Sequence, residues 1–282
     1  MEAHVGGVTC LVKGSSFEEV VTAGIDGKVR LWEGEIPVIE ALIGTEASQI
    51  SCVATEGGRI VVGNVLGMIF IWERSTGAER MRIEAHQGEV TCISLQGGDI
   101  LSGGADYALR QWCSSTGAAK LALLGHTGRV HCLQAFHHAA ASGGADHCVK
   151  LWDLRVGECT HTLRGHGAPI RALQFDGEKV LSGDREGVIK LWDLRDKSLL
   201  VSANTGSAIH GMCFESDTLI CGLEDGRVLD FSLLPAHVSY RGVVTDGHKG
   251  AVKAVAIDGG CVYSAGVDGT MRISPLHREY AD

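Results

Sequence analysis

The chain has 282 residues, of which 45% are hydrophobic, with 39 glycines, 4 prolines and a net charge of −9. That content can bury a sizeable core, yet no segment reaches the roughly 20 apolar residues of a membrane helix, and residues 1–20 lack the basic-then-apolar pattern of a signal peptide. The acidic balance argues against a general nucleic-acid binder, which needs a basic footprint, though a local basic patch remains compatible with it.

From the N-terminus, the first recognisable element is VTCLV at 8–12, a short alternating run of the kind that forms a strand. VVTAG at 20–24 follows, then Asp26-Gly27, then KVRLW at 28–32. Asp-Gly between alternating hydrophobic runs marks a hairpin, because glycine supplies the positive φ that the turn needs. The same series returns four times. Its inner runs are ISCVA, VTCIS, VHCLQ and IRALQ, its second runs IVVGN, ILSGG, AAASGG and VLSGD, and its third runs MIFIW, ALRQW, CVKLW and VIKLW. Leu66-Gly67, Asp106-Tyr107, Asp146-His147 and Glu186-Gly187 occupy the turn, and the variable stretch after each tryptophan, such as ECTHTLR at 158–164, supplies a fourth strand. The five tryptophans stand at 32, 72, 112, 152 and 192, a step of 40 each time. Two weaker units follow, Asp225-Gly226 leading to Phe231 and Asp268-Gly269 leading to Ser274 in the tryptophan slot. A period near 40 with tryptophan at one phase belongs to propellers. Stacked radially, each four-stranded unit covers its neighbour and few edges remain. The expected fold is all-β, a seven-bladed β-propeller of four antiparallel strands per blade. It forms one domain over residues 1–282, with blades near 1–44, 45–84, 85–124, 125–164, 165–204, 205–246 and 247–282.

Cys10, Cys52, Cys92 and Cys132 recur at one phase of the repeat, so they read as small buried hydrophobes rather than disulfide partners. No CxxC pair is present, which argues against a zinc site. The setting expected is reducing and intracellular, cytoplasmic or nuclear.

These residues resemble the W-D repeat family. The best copies are GHTGRV at 125–130 running to KLWD at 150–153 and GHGAPI at 165–170 running to KLWD at 190–193. The resemblance covers essentially the whole chain and implies a structural tetrad in each good blade: His4, Thr22, Asp26 and Trp32; His86, Ser102, Asp106 and Trp112; His126, Ser142, Asp146 and Trp152; and His166, Ser182 and Trp192, with Glu186 where an aspartate is expected. The indole N–H would donate to the hydroxyl, the hydroxyl to the imidazole and the imidazole to the carboxylate, giving every buried polar group a partner. An enzyme needs one reactive constellation, so symmetric repetition makes these sets structural and not catalytic. Blade 2, with Glu46, Val62 and Leu66, has lost the tetrad. Blade 6 has Thr205, Cys221 and Phe231 in its slots, and blade 7 keeps His248, Ser264 and Asp268 without the tryptophan.

Residues 1–3 and the PLHREYAD run at 275–282 are each too short for a full outer strand, so the expectation is either that blade 7 has three strands and an edge open to a partner strand or that a longer native chain completes it. The resemblance also implies that two positions per blade face the channel rim. The first series is Thr9, Ser51, Thr91, His131, Arg171, His210 and Lys253; the second is Ile25, Val65, Ala105, Ala145, Arg185, Glu224 and Val267. His131, Arg171, Arg185, His210 and Lys253 form a basic arc suited to a carboxylate or phosphate, since arginine offers a planar donor fork. The alternatives at this point are that Arg171 and Arg185 pair with Asp184 or Glu186, or simply face solvent. His137-His138 reads as a solvated surface turn.

The function expected is a non-catalytic scaffold or adaptor for other proteins, without cofactor or metal. The alternative is a receptor for acidic or phosphorylated peptides at the rim. The latter is similar to the F-box-type propellers of ubiquitin ligases, although no F-box-like helical segment is visible in the sequence. No membrane insertion or general nucleic-acid binding is expected.

Overall fold

The computed structural model describes residues 1–14, 19–42, 49–234 and 237–276. They form seven antiparallel sheets in chain order, six of four strands and a last one of three, with no α-helix among the described residues. Blade 4 shows the pattern: Val130–Phe136, Ala139–Gly144, Cys148–Asp153 and Glu158–Arg164, each strand paired with the next. The turn slots predicted from Asp-Gly hold even where glycine is missing, for Tyr107 at φ 70° and His147 at φ 63° adopt the left-handed conformation that Gly27 and Gly187 adopt at 72° and 84°.

Strand alternation gives each blade two apolar faces, and neither can be buried within one blade. Burial is therefore shared. Seven apolar clusters correspond to the seven junctions between neighbouring blades, and the junction of blades 1 and 7 closes the ring with Leu11, Trp32, Tyr263 and Met271. Each tryptophan covers the preceding blade, as Trp152 does against Leu109 and Leu123.

In blades 1, 3 and 4 the indole, hydroxyl, imidazole and carboxylate lie within hydrogen-bond distance of one another in series. In blade 1 the Trp32 indole donates to Thr22 Oγ1 at 2.8 Å, with His4 Nε2 2.9 Å from the same hydroxyl and His4 Nδ1 2.8 Å from Asp26. Blade 3 repeats this through Trp112, Ser102, His86 and Asp106 at 3.0, 2.8 and 2.9 Å. Blade 4 repeats it through Trp152, Ser142, His126 and Asp146 at 2.8, 2.7 and 2.8 Å.

Blade 5 corrects the sequence reading. Trp192 donates to Ser182 at 2.9 Å and His166 Nε2 lies 2.7 Å from Ser182, but the carboxylate at 2.7 Å from His166 Nδ1 is Asp184, and Glu186 is exposed. Asp184 stands two residues earlier than the aspartate of the other blades, where they carry glycine. A Cβ on Gly104 would lie 2.3 Å from His86 Nδ1 and one on Gly24 2.5 Å from the His4 ring, so the usual tetrad excludes a side chain there. Asp184 instead fills that place with the tetrad's own carboxylate. Its second oxygen accepts from the N–H groups of Glu186 and Val188 at 2.9 Å each, so one side chain holds both the histidine and the turn.

Blades 2 and 6 replace tetrad members with apolar groups, whereas blade 7 places a serine in the tryptophan slot. In blade 2 Val62 takes the hydroxyl slot, and the buried Trp72 Nε1 has no hydrogen-bond partner. In blade 6 Thr205 turns its hydroxyl to backbone oxygens of Gly187 and Ser207, while Cys221 and Phe231 are 0% and 4% exposed within one apolar cluster. Blade 7 keeps His248 at 2.9 Å from Ser264 and 3.2 Å from Asp268, and Ser274 pairs with Val262 as Trp152 pairs with Ala140. All ten cysteines are free thiols.

The three strands of blade 7 are Val252–Asp258, Cys261–Gly266 and Met271–Pro275. Residues 1–3 lie beside the last of them. Glu2 bridges Thr270, Met1 and Met271 exchange backbone bonds at 2.9 and 3.0 Å, and Ala3 N donates to Gly269 O at 2.7 Å. This is the register of Arg164 on Cys148, two residues before the tetrad histidine in both blades. Glu46 and residues 277–282 lie outside the described residues.

Two substitutions test the tetrads. Trp152→Ala empties a core site and strands Ser142, and a loss of about 3–5 kcal/mol is expected in denaturant titration. Val62→Thr gives Trp72 the acceptor that Thr22 gives Trp32. The expected gain is about 1 kcal/mol, seen as a rise of roughly 2 °C in the melting temperature. An unchanged or lower melt would show that the blade 2 indole does not need the hydroxyl.

Stability should also depend on pH in a defined way. Burial holds His4, His86, His126, His166 and His248 below the ordinary 6.5, against the upward pull of the aspartate beside each. The unfolded chain then takes up protons that the folded chain refuses, so stability falls as pH drops below 6.5. Burial would raise Asp106 and Asp268 above 3.8, but hydrogen bonds from Arg110 and His86 to the first, and from the Lys249 and Thr270 N–H groups to the second, hold both down at about 2. Their contribution is present above pH 3.8 and is lost between there and about 2. Burial pushes Cys10 and Cys92 from 9.0 up to about 12, so stability declines again above pH 9. Urea midpoints should therefore be highest between about pH 7 and 8.5; a midpoint that climbs between pH 6.5 and 5 would contradict this account.

Candidate functional site

One structural device recurs in every blade at the channel end of the inner strand. The register between the inner and second strands slips by one residue, between Val8 and Cys10, Ile50 and Cys52, Val90 and Cys92, Val130 and Cys132, Ile170 and Ala172, Ile209 and Gly211, and Val252 and Ala254. The bulged residues are Thr9, Ser51, Thr91, His131, Arg171, His210 and Lys253, the first rim series read from the sequence. A bulge leaves its extra residue out of the ladder and re-aims the side chain, and all seven residues are half-buried. The second series is fixed by one repeated backbone bond into the neighbouring turn, such as Ala145 N to Arg129 O at 2.8 Å, Arg185 N to Pro169 O at 3.0 Å and Glu224 N to Ala208 O at 2.9 Å.

Around this ring the chemistry is uneven. In blades 1 to 3 the bulged hydroxyls are tied to the backbone: Thr9 donates to Ala23 O at 3.0 Å, Ser51 to Gly63 O at 3.1 Å and Thr91 to Gly103 O at 2.9 Å. In blades 6 and 7 Lys253 Nζ donates to His210 Nδ1 at 3.1 Å, and His210 Nε2 donates to Glu224. Burial lowers Lys253, and burial lowers His210 against the pull of Glu224.

Blade 5 differs, because its two rim arginines lie within the field of Glu224 but form no direct pair with a carboxylate among the described residues. Neither Arg171 nor Arg185 makes an ion pair among the described residues, and the buried Arg171 Nε has no hydrogen-bond partner. Asp184, offered by the sequence as their partner, is engaged by His166. Burial lowers the Arg171 guanidinium, and the charges of Arg185 and Arg129 lower it further, against the pull of Glu224. Burial with Arg171 and Arg129 pushes His131 down to about 4. The histidines of the basic arc are thus neutral near pH 7, and its charge rests on Arg171, Arg185 and Lys253. A half-buried guanidinium crowded by like charges favours an anion, since an arriving carboxylate or phosphate meets an unpaired donor fork and relieves repulsion.

Among the described residues no group of three or more His, Cys, Asp or Glu is placed to hold a metal ion, and no helix is long and apolar enough to cross a membrane. His137, with φ 52°, and His138 line a groove with Phe136, Trp152 and Phe175 beneath blades 4 and 5, at the opposite strand ends from the rim. Two features escaped the sequence reading. Asp184 was signalled by SGD in place of SGG. The neutrality of His131 had little local signal, because it depends first on burial and then on Arg171, 40 residues and one blade away, with only Arg129 nearby in the chain.

A family model described as WD domain, G-beta repeat matches residues 1–33, 119–153, 157–193 and 241–273. No curated protein matches the chain. Among solved structures, the crystal structure of the computationally designed Ika8 protein is similar over 98% of each chain, with a TM-score of 0.78 and 25% sequence identity. The matched segments fall on blades 1, 4, 5 and 7, each with its histidine, hydroxyl and aspartate joined by hydrogen bonds. The chain is a WD-repeat β-propeller, a family whose members generally serve as protein-interaction scaffolds.

Proposed function

We propose that this propeller is a non-catalytic, intracellular interaction scaffold that receives an acidic or phosphorylated segment of a partner protein at the channel rim of blades 4 to 7. The observation that carries this reading is the pair Arg171 and Arg185, neither of which forms an ion pair among the described residues, with a buried Arg171 Nε that lacks a hydrogen-bond partner. Lys253 extends the cationic arc, while Glu224 shares the pair formed with His210. The polar sets that could be mistaken for catalytic triads are hydrogen-bonded within each blade and recur by symmetry, which supports a structural role for them. The free thiols fit a reducing compartment.

Fluorescence anisotropy with a peptide library tests the reading, using phosphoserine, glutamate and serine at one central position. Phosphoserine and glutamate peptides should bind and serine peptides should not. Arg171→Glu/Arg185→Glu should weaken binding by about 100-fold, because two favourable charge contacts become repulsive. The melt of this variant should match the wild type, since both side chains lie outside the tetrads. Equal affinity of wild type and variant for phosphoserine peptides would move the interaction surface away from the rim.

A further inference from the structure

Seven blades in ring order place blades 4 and 5 across the channel from blade 1, whose neighbours are blades 2 and 7. On that opposite side the second rim series is aliphatic, with Lys253 of blade 7 at the edge nearest the cations. Ile25, Val65 and Val267 hold the place that Arg185 holds in blade 5, through the same backbone bond: Ile25 N to Gly7 O at 3.1 Å, Val65 N to Gln49 O at 3.1 Å and Val267 N to Ala251 O at 3.0 Å. Ile25 and Val267 are 37% and 39% exposed, and Leu66 and Val5 on the adjoining turns are 63% and 72% exposed. Gly7 separates Ile25 from Val267. A Cβ on it would lie 3.3 Å from Ile25 Cδ1 and 3.0 Å from the Val267 carbonyl oxygen, so a bare glycine lies between the Ile25 side chain and the Val267 backbone. The bulged hydroxyls nearby are already bonded to carbonyls, so they offer no free donor to a polar ligand.

An exposed aliphatic patch facing unpaired cations is a bipartite surface. Contiguous apolar surface on a soluble fold marks an interaction site, and the cations opposite it select the sign of what binds. We propose that the rim ligand is an extended peptide segment with two anchors. A carboxylate or phosphate sits on Arg171 and Arg185, and an aliphatic side chain sits on Ile25 and Val267 across the channel mouth. This inference rests on the anion reading above and adds the second anchor, with its chemistry and its place. The width of the mouth then sets the number of residues between the anchors, which makes spacing a determinant of specificity.

Two series of fluorescein-labelled peptides test it by anisotropy. In one, a phosphoserine and a leucine are separated by two to seven glycine or serine residues; in the other, serine replaces the leucine. At one or two separations the leucine should tighten binding about tenfold, the worth of burying one aliphatic side chain at a partly open site. Ile25→Ser/Val267→Ser should abolish that gain and leave affinity for the serine series at the wild-type value. Arg171→Gln/Arg185→Gln should weaken both series. The two-anchor proposal is overturned if leucine adds nothing at any separation, if its gain survives in Ile25→Ser/Val267→Ser, or if that variant, with an unchanged melt, weakens both series equally. Failure of the underlying anion reading looks different: the wild type binds neither series, or the arginine variant binds phosphoserine as well as the wild type does.

Discussion

The hydrogen-bond chain from indole to hydroxyl to imidazole to carboxylate joins three pieces of a blade that backbone pairing alone would leave independent. The tryptophan is on the third strand, the hydroxyl on the second and the histidine on the turn entering the first. Fastening that turn fixes where the inner strand begins and therefore where its bulge falls. The same indole lies in the apolar junction with the preceding blade, so the polar chain and the burial that closes the ring depend on one residue. Buried polar groups in such a chain are favourable only when every member is paired. Blade 5 meets that demand by moving the carboxylate to Asp184, whereas blade 6 drops the polar chain and packs apolar groups instead.

The binding surface depends on this scaffold through the bulges. A regular inner strand would alternate its side chains between the two blade junctions. The single-residue slip takes one residue per blade out of that alternation and delivers it to the channel mouth. The scaffold thus presents seven free choices, and their neighbours decide what each contributes. His131 and Arg171 occupy equivalent places in adjacent blades, yet burial and then the charges of Arg171 and Arg129 drive the histidine to neutrality while the guanidinium keeps its charge. Lys253, His210 and Glu224 satisfy one another, and the hydroxyls of blades 1 to 3 satisfy the backbone. At the rim the arginines without a direct partner are confined to blade 5, and across from them stand the aliphatic side chains of Ile25, Val65 and Val267.

The repeat was legible in the sequence because its marks are local. Tryptophan at a fixed phase, alternating runs and turn residues together dictate seven blades, since a four-stranded sheet with two apolar faces is stable only when covered on both sides. The tetrads of blades 1, 3 and 4 and the loss of the tetrad in blade 2 followed from the same phase, and Trp72 confirms the latter by its orphaned indole. Three matters required the tertiary structure. Asp184 replaces Glu186 because the geometry of a carboxylate reaching His166 depends on the path of the turn, not on its position in the repeat. Residues 1–3 find their place beside residues 269–271 only because ring closure brings the two together across the whole chain. The charges of the rim are set by through-space contacts between blades, so a list of basic residues overstates them. Local pattern determines the architecture because strands and turns are local events; the character of the site is decided by burial and by neighbours about 40 residues apart, which no local window contains.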